Sequence, residues 1–170
     1  MEQRARRARG VIWATGLLVL IWANFQILPM VVVYAPSASL RKGWYVRDFA
    51  ARGVTIGDLV VVDMPGWMWT TVEVDGLPQR LLKHVAAGAG DRVCWGTDAM
   101  TVYTGVGTVI YPYYPAAMVL QQHDGCHIVA AGELLLVGTH PRSFDSRYIG
   151  VVDGGLLRFR VHPLWTWEAA

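Results

Sequence analysis

The chain has 170 residues, of which 54% are apolar and only 16% charged. An average soluble protein carries about 25% charged residues, so part of this chain is built for surroundings other than water. Its formal net charge of +2 is too small for a nucleic-acid footprint, and its length fits one ordinary domain beside a terminal membrane segment, not two independent domains.

The first ten residues hold Arg4, Arg6, Arg7 and Arg9 against a single acid, Glu2, and no charged side chain follows from Gly10 through Leu40. Val11 to Trp22 is almost wholly apolar. A hydrocarbon core about 30 Å thick needs about 20 helical residues, which assigns residues 11–34 to a single transmembrane anchor, with Trp13 and Trp22 as interfacial or lipid-facing rings. Pro29 lacks a backbone donor and crowds the turn before it, so it interrupts a helix continuing to Tyr34. The arginines hold residues 1–10 in the cytoplasm as a basic tail and put residues 35–170 on the outer side. A cleavable signal peptide is the competing reading, because Ala35-Pro36-Ser37 and Ser37-Ala38-Ser39 resemble small-residue cleavage sites. A secretory apolar region is usually about 7–15 residues, shorter than this one.

Beyond residue 40 short β-type runs alternate with glycine and proline, and no helical stripe is sustained, which predicts a mostly β domain. Strands are expected at 43–46, 58–63, 71–74, 79–86, 92–95, 100–104, 133–137, 149–152 and 156–161. Val60-Val61-Val62 and Leu134-Leu135-Leu136-Val137 read as buried on both faces. Tyr111-Pro112-Tyr113-Tyr114-Pro115 belongs in a loop or at a sheet edge, since proline cannot donate to a ladder. Pro65-Gly66-Trp67-Met68-Trp69 places three large apolar side chains after a turn signal, to dip into a bilayer or to cover the core.

Three polar segments carry the chemistry. Pro36-Ser37-Ala38-Ser39-Leu40 offers two serines just after the anchor, which taken alone are ordinary turn hydroxyls. In Arg80-Leu81-Leu82-Lys83-His84-Val85, an extended chain puts Lys83 on one face with Leu81 and Val85. Burial there lowers an amine pKa toward that of a general base, whereas a snorkelling lysine would keep its head in water. In Pro141-Arg142-Ser143-Phe144-Asp145-Ser146-Arg147-Tyr148, an extended chain lines up Ser143, Asp145 and Arg147, a hydroxyl and an ion pair able to orient an amine; the alternative is a surface turn with a casual pair. Cys94 and Cys126 can bridge if they lie outside the cytoplasm, and otherwise are two buried thiols. His84, His123, His127, His140 and His162 give no metal signature: the spacing of His123 and His127 suits a helix, but Asp124-Gly125 between them reads as a turn. His140 is near enough to Ser143 in sequence to assist a nucleophile.

Together these segments resemble the type I signal peptidases. Pro36 to Leu40 looks like their catalytic-serine box, Lys83 to Val93 resembles the lysine box with its trailing Gly-Asp, Ser143 to Tyr148 resembles the last box, and Gly57-Asp58-Leu59-Val60 fits a fourth. Finer features resemble the conjugative-transfer (TraF-type) branch, which processes pilin precursors: Ser39 followed by Gly43-Trp44-Tyr45, Gly125-Cys126-His127 ahead of Glu133, and Val161-His162-Pro163-Leu164. Arg41 departs from the proline common in that branch, and Gly138-Thr139-His140 replaces the Gly-Asp-Asn of general signal peptidases.

The resemblance implies an antiparallel β signal-peptidase-like catalytic domain behind a single anchor, in the inner membrane of a bacterium with the domain periplasmic. It implies Ser39 as nucleophile and Lys83 as general base, the Ser39 amide and Ser37 hydroxyl as an oxyanion hole, and Ser143, Asp145 and Arg147 in support. It implies no metal and no cofactor. The partners are a precursor protein and the lipid bilayer, with no nucleic acid. The expected activity is a serine endopeptidase that removes leaders from exported precursors, foremost a conjugative pilin, with or without cyclisation. The alternatives are a general type I signal peptidase for secretory proteins and a membrane-tethered peptide-binding or assembly module. Retention of both Ser39 and Lys83 speaks against the module.

Overall fold

The structure is a computed structural model that describes residues 12–23, 31–37, 39–50, 52–66, 79–114 and 123–167. Its contacts divide the chain into residues 1–33 and residues 34–170. In the first unit residues 12–23 are helical, and side chains such as Ile12, Leu17 and Leu20 are exposed. Among the described residues no helix is long and apolar enough to cross a membrane. The rest of the expected anchor, residue 11 and residues 24–30, and the basic tail 1–10 lie outside the described residues. Residues 32–34, which the anchor segment was expected to include, are extended.

The larger unit is built on strands in two sheets. β1 (Val32–Ala35), β2 (Lys42–Arg47), β3 (Leu59–Asp63), β4 (Arg80–Ala87), β9 (Glu133–Val137), β10 (Val152–Asp153) and β11 (Leu157–Trp167) form a seven-stranded sheet in the order β1-β2-β11-β3-β4-β9-β10. β5 (Arg92–Trp95), β6 (Ala99–Thr104), β7 (Gly107–Pro112) and β8 (Gly125–Ile128) form a second sheet in the order β7-β6-β5-β8. From β2 through β11 the strand pairs run antiparallel.

β3 lies between β11 and β4, and its three valines are buried together, the pattern of a strand covered on both faces. Two apolar clusters flank the large sheet. Val60, Val62, Met64, Leu81, Val85, Leu136, Ile149 and Val152 make one; Ala86, Ala87, Val93, Trp95, Met100, Val102, Val129, Leu135 and Val137 make the other. β9 feeds both through the two-residue period of a strand, sending Leu136 to the first and Leu135 and Val137 to the second. A shift of register between Val85 and Ala87 breaks that alternation in β4, so Val85 joins one cluster while Ala86 and Ala87 both join the other. Across the small sheet Cys94 and Cys126 stand directly opposite and are joined by a disulfide, with their Cα atoms 4.0 Å apart.

The runs at 92–95 and 133–137 form strands with the expected bounds, β3 and β6 differ from expectation by a residue at one end, and β2 and β4 by a residue at each end. The strand expected at 71–74 and the rings of Trp67 and Trp69 lie outside the described residues. β7 is an edge strand of mostly exposed residues with Pro112 at its last position, where a missing donor costs least. The strand expected at 149–152 is corrected. Asp145 caps a helical turn, Ser146–Ile149, by accepting the Arg147 N–H at 3.2 Å, and Gly150, with φ 73°, stops that turn before β10 begins. β11 runs past Val161 to Trp167, with a register shift between Pro163 and Trp165 opposite β2.

Gly43 in β2 has φ 150°, and a Cβ there would meet the Trp165 carbonyl and stand 2.6 Å from Thr166 Cα. Gly43→Ala is expected to lower stability by about 1–3 kcal/mol in urea denaturation. Gly88→Ala, with open space around the added methyl, is expected to stay within about 0.5 kcal/mol of the parent. Equal effects would remove the close approach of β11 as the cause.

Candidate active site

In β4 the side chains of Leu81, Lys83 and Val85 are buried in alternation, as a strand with one inward face requires. Lys83 is only 2% exposed. Burial pushes its amine pKa down from 10.5 to about 8; the negative charge of Asp145 works against that shift and the positive charge of Arg147 with it. The amine Nζ donates to Ser143 Oγ at 2.8 Å in a buried contact. A lysine that snorkelled would present its head to water; this one holds it against a hydroxyl.

Ser143 is fully buried, and its N–H donates to the His140 carbonyl at 2.9 Å, closing a turn over residues 140–143. Arg147 fastens that turn from beneath. Its Nη1 donates to the Pro141 carbonyl at 3.1 Å and its Nη2 to the His140 carbonyl at 3.1 Å, while Nε and Nη2 grip the two oxygens of Asp145 at 2.8 and 2.6 Å. Both side chains of the pair are withdrawn from solvent. Burial alone would lower the Arg147 pKa, but the hydrogen bond and charge of Asp145 outweigh it and raise the pKa above its ordinary value. Asp145 also accepts the Gly138 N–H at 2.8 Å, tying the turn to the end of β9. The expectation that Ser143, Asp145 and Arg147 share the face of an extended chain is therefore corrected: a turn, a cap and a helical turn bring them together.

Ser39 meets this corner through its backbone. Its carbonyl accepts the His140 N–H at 3.3 Å and the Thr139 hydroxyl at 3.5 Å. Gly138 lies between the two serines, since a Cβ on it would come 2.6 Å from the Ser39 carbonyl oxygen and closer still to Ser143 Oγ. Leu40 is buried, and the Tyr45 hydroxyl donates to the Arg41 carbonyl at 2.6 Å, so the segment after Ser39 is held from β2. Ser39 itself is half-buried, and Ser37 is exposed in the bend that follows β1.

Each histidine has its own partner. His140 Nδ1 accepts the Arg142 N–H at 3.1 Å, His84 Nδ1 lies 3.1 Å from the Gly57 carbonyl, His127 pairs with Glu133 at 2.7 Å and His162 with Asp48 at 3.0 Å. His123 packs on Trp95 with ring centres 5.1 Å apart. Residues overlooked in the sequence gather around the Ser146–Ile149 turn: Trp95 Nε1 donates to the Ser146 carbonyl at 3.1 Å, and the Tyr148 hydroxyl accepts the Tyr114 N–H at 2.9 Å. Tyr111 stands close enough to the ion pair that its hydroxyl pKa is raised, first by burial and then by the charge of Asp145. Asp145-Ser146-Arg147 held a signal for this turn, because aspartate is a favoured helix N-cap.

A family model described as signal peptidase, peptidase S26, matches residues 5–161. No curated protein matches the chain.

Two substitutions test the electrostatics. The folded Lys83 pKa is below its unfolded value, so the unfolded chain binds more protons between about pH 8 and 10.5; the penalty for burial is complete below that window and fades as pH rises through it. Lys83→Met is therefore expected to be as stable as the parent or more so at pH 7, by up to about 3 kcal/mol, with the gain shrinking toward pH 10 in paired thermal melts. A large loss at pH 7 would contradict the cost assigned to the amine. Arg147→Ala strands a buried carboxylate and is expected to cost about 3–5 kcal/mol in chemical denaturation.

Proposed function

The chain belongs to the signal peptidase family, peptidase S26, and on that premise we propose that it is a membrane-anchored serine endopeptidase that cleaves leader peptides by a Ser39/Lys83 dyad, with a conjugative pilin precursor as its foremost substrate. The observation that carries the reading is the Lys83 amine, buried, lowered to about pKa 8 and held 2.8 Å from Ser143 Oγ, in the turn whose His140 N–H donates to the Ser39 carbonyl.

In this reading neutral Lys83 takes the proton of the Ser39 hydroxyl as its Oγ attacks the scissile carbonyl, then returns it to the departing amine. Water attacks the acyl-enzyme in a second step, again with Lys83 as base. The Ser39 amide and the Ser37 hydroxyl stabilise the oxyanion, Ser143 orients the amine, and the Asp145/Arg147 pair holds Ser143. The basic tail and the apolar segment after it support an anchor in the bacterial inner membrane, N-terminus inside and peptidase domain in the periplasm. Enzyme and precursor confined to one surface meet more often than two solutes would.

The pilin assignment is supported by the resemblance of Gly43-Trp44-Tyr45, Gly125-Cys126-His127 and Val161-His162-Pro163-Leu164 to the TraF-type branch. An amine at the far end of the same pilin can replace water at the acyl-enzyme, giving a cyclic product. The family match favours one further reading, a general signal peptidase acting on secretory leaders.

Mass spectrometry of a pilin precursor incubated with the parent enzyme, Ser39→Ala and Lys83→Ala is the test. Cleavage by the parent alone is expected, and the product mass distinguishes a linear from a cyclic pilin. Cleavage by both variants at the parent rate would rule out the dyad; cleavage only of a secretory precursor would select the general enzyme. Because Lys83 acts after losing its proton, the rate is expected to rise with pH and level off above about 8.

A further inference from the structure

We propose that Trp95 is a positioning residue for this site: its indole N–H, by holding the Ser146 carbonyl, sets the turn that fixes Ser143 against the Lys83 amine. The inference rests on the Ser39/Lys83 reading above.

Trp95 ends β5 in the small sheet, and its side chain is buried in the cluster shared with β4 and β9. Its indole bond to Ser146, at 3.1 Å, is buried and joins residues 51 positions apart. Ser146 is pinned a second time, since its Oγ accepts the Leu136 N–H of β9 at 2.9 Å. The residue before it, Asp145, receives the Gly138 N–H, and the residue after it, Arg147, ties the carbonyls of Pro141 and His140. Ser146 is thus a point at which the small sheet is hydrogen-bonded to the polar network, and from there a continuous run of bonds leads to Ser143 and Lys83.

The indole is itself firmly placed. Trp95 pairs with Met100 on one side and Gly125 on the other, and the preceding residue, Cys94, is bridged to Cys126. The His123 ring packs beside the indole. A phenyl ring at this position would fill most of the volume and keep the strand, but would leave the buried Ser146 carbonyl without its donor. Freed on that side, the turn can shift, Ser143 follows it, and the amine loses its fixed partner and gains access to water. A displaced base costs rate more than binding, because the lysine acts on the reacting proton and not on the bound peptide.

The full-length enzyme in detergent micelles is assayed with an internally quenched peptide spanning a leader cleavage site. Trp95→Phe is compared with Val93→Ala, which thins the same apolar cluster from the same strand without removing a hydrogen bond. Trp95→Phe is expected to lower kcat about tenfold with KM within about twofold of the parent. The midpoint of its pH–rate profile should move upward, as the amine returns toward its exposed pKa. Val93→Ala is expected to melt earlier with kcat and midpoint unmoved. If Trp95→Phe does not fold, a benzothienyl analogue at position 95 keeps the indole shape without the N–H and must give the same result. Parent kcat and midpoint in the folded variant would overturn the inference, as would the same two changes in Val93→Ala. Ser39→Ala activity equal to the parent would instead overturn the dyad and the inference with it, whereas an inactive Ser39→Ala beside an unaltered Trp95→Phe confines the failure to Trp95.

Discussion

A primary amine taken out of water inside a β-sheet is the constraint around which the rest of this site is arranged. The Asp145/Arg147 pair brings one negative and one positive charge near Lys83, with opposite effects on its proton affinity. Desolvation therefore decides the direction of the shift, and the ion pair acts as a structural anchor whose fields partly cancel. A lone aspartate in the same place would have stabilised the ammonium and kept the amine protonated near neutral pH. The guanidinium offsets part of that effect and supplies the donors that hold the turn carrying Ser143.

The contrast with the other ion pairs is instructive. Asp63 meets Arg158 and Arg80 at exposed positions, where screening leaves pairs of this kind worth little. Arg160 bridges Asp48 and Asp58 across strands that are more than 100 residues apart in sequence, which fixes where those strands lie more than how tightly they are held. Among the described residues only Asp145 and Arg147 form a pair with both partners withdrawn from solvent, and there each loses its compensation if the other is removed.

How much of this was legible in the sequence depended on the range of the interaction. The alternation of Leu81, Lys83 and Val85 is a property of consecutive residues, so the shared face could be read directly, as could the doubly covered valines of β3, while the choice between a buried and a snorkelling amine needed the structure. The grouping of Ser143, Asp145 and Arg147 was visible, but the extended geometry expected for it was wrong because a capping aspartate and a stopping glycine at 150 act through backbone conformation and leave little hydrophobic pattern. β7 and β8 were missed as strands because edge strands with exposed side chains lack the apolar alternation that marks a half-buried one. The reach of Trp95 to Ser146 could not be read at all, since nothing in either local sequence names its partner 51 positions away.

β11 lies between β2 and β3, pairing residues 157–167 with residues 42–47 and 59–63. Neighbours in the finished sheet are thus made far apart in synthesis, and non-local pairing of this kind is slow to form. Until β11 is inserted, β2 and β3 have an open seam between them. Such an architecture leaves the sheet between β2 and β3 incomplete until β11 has emerged, however early those two strands are made.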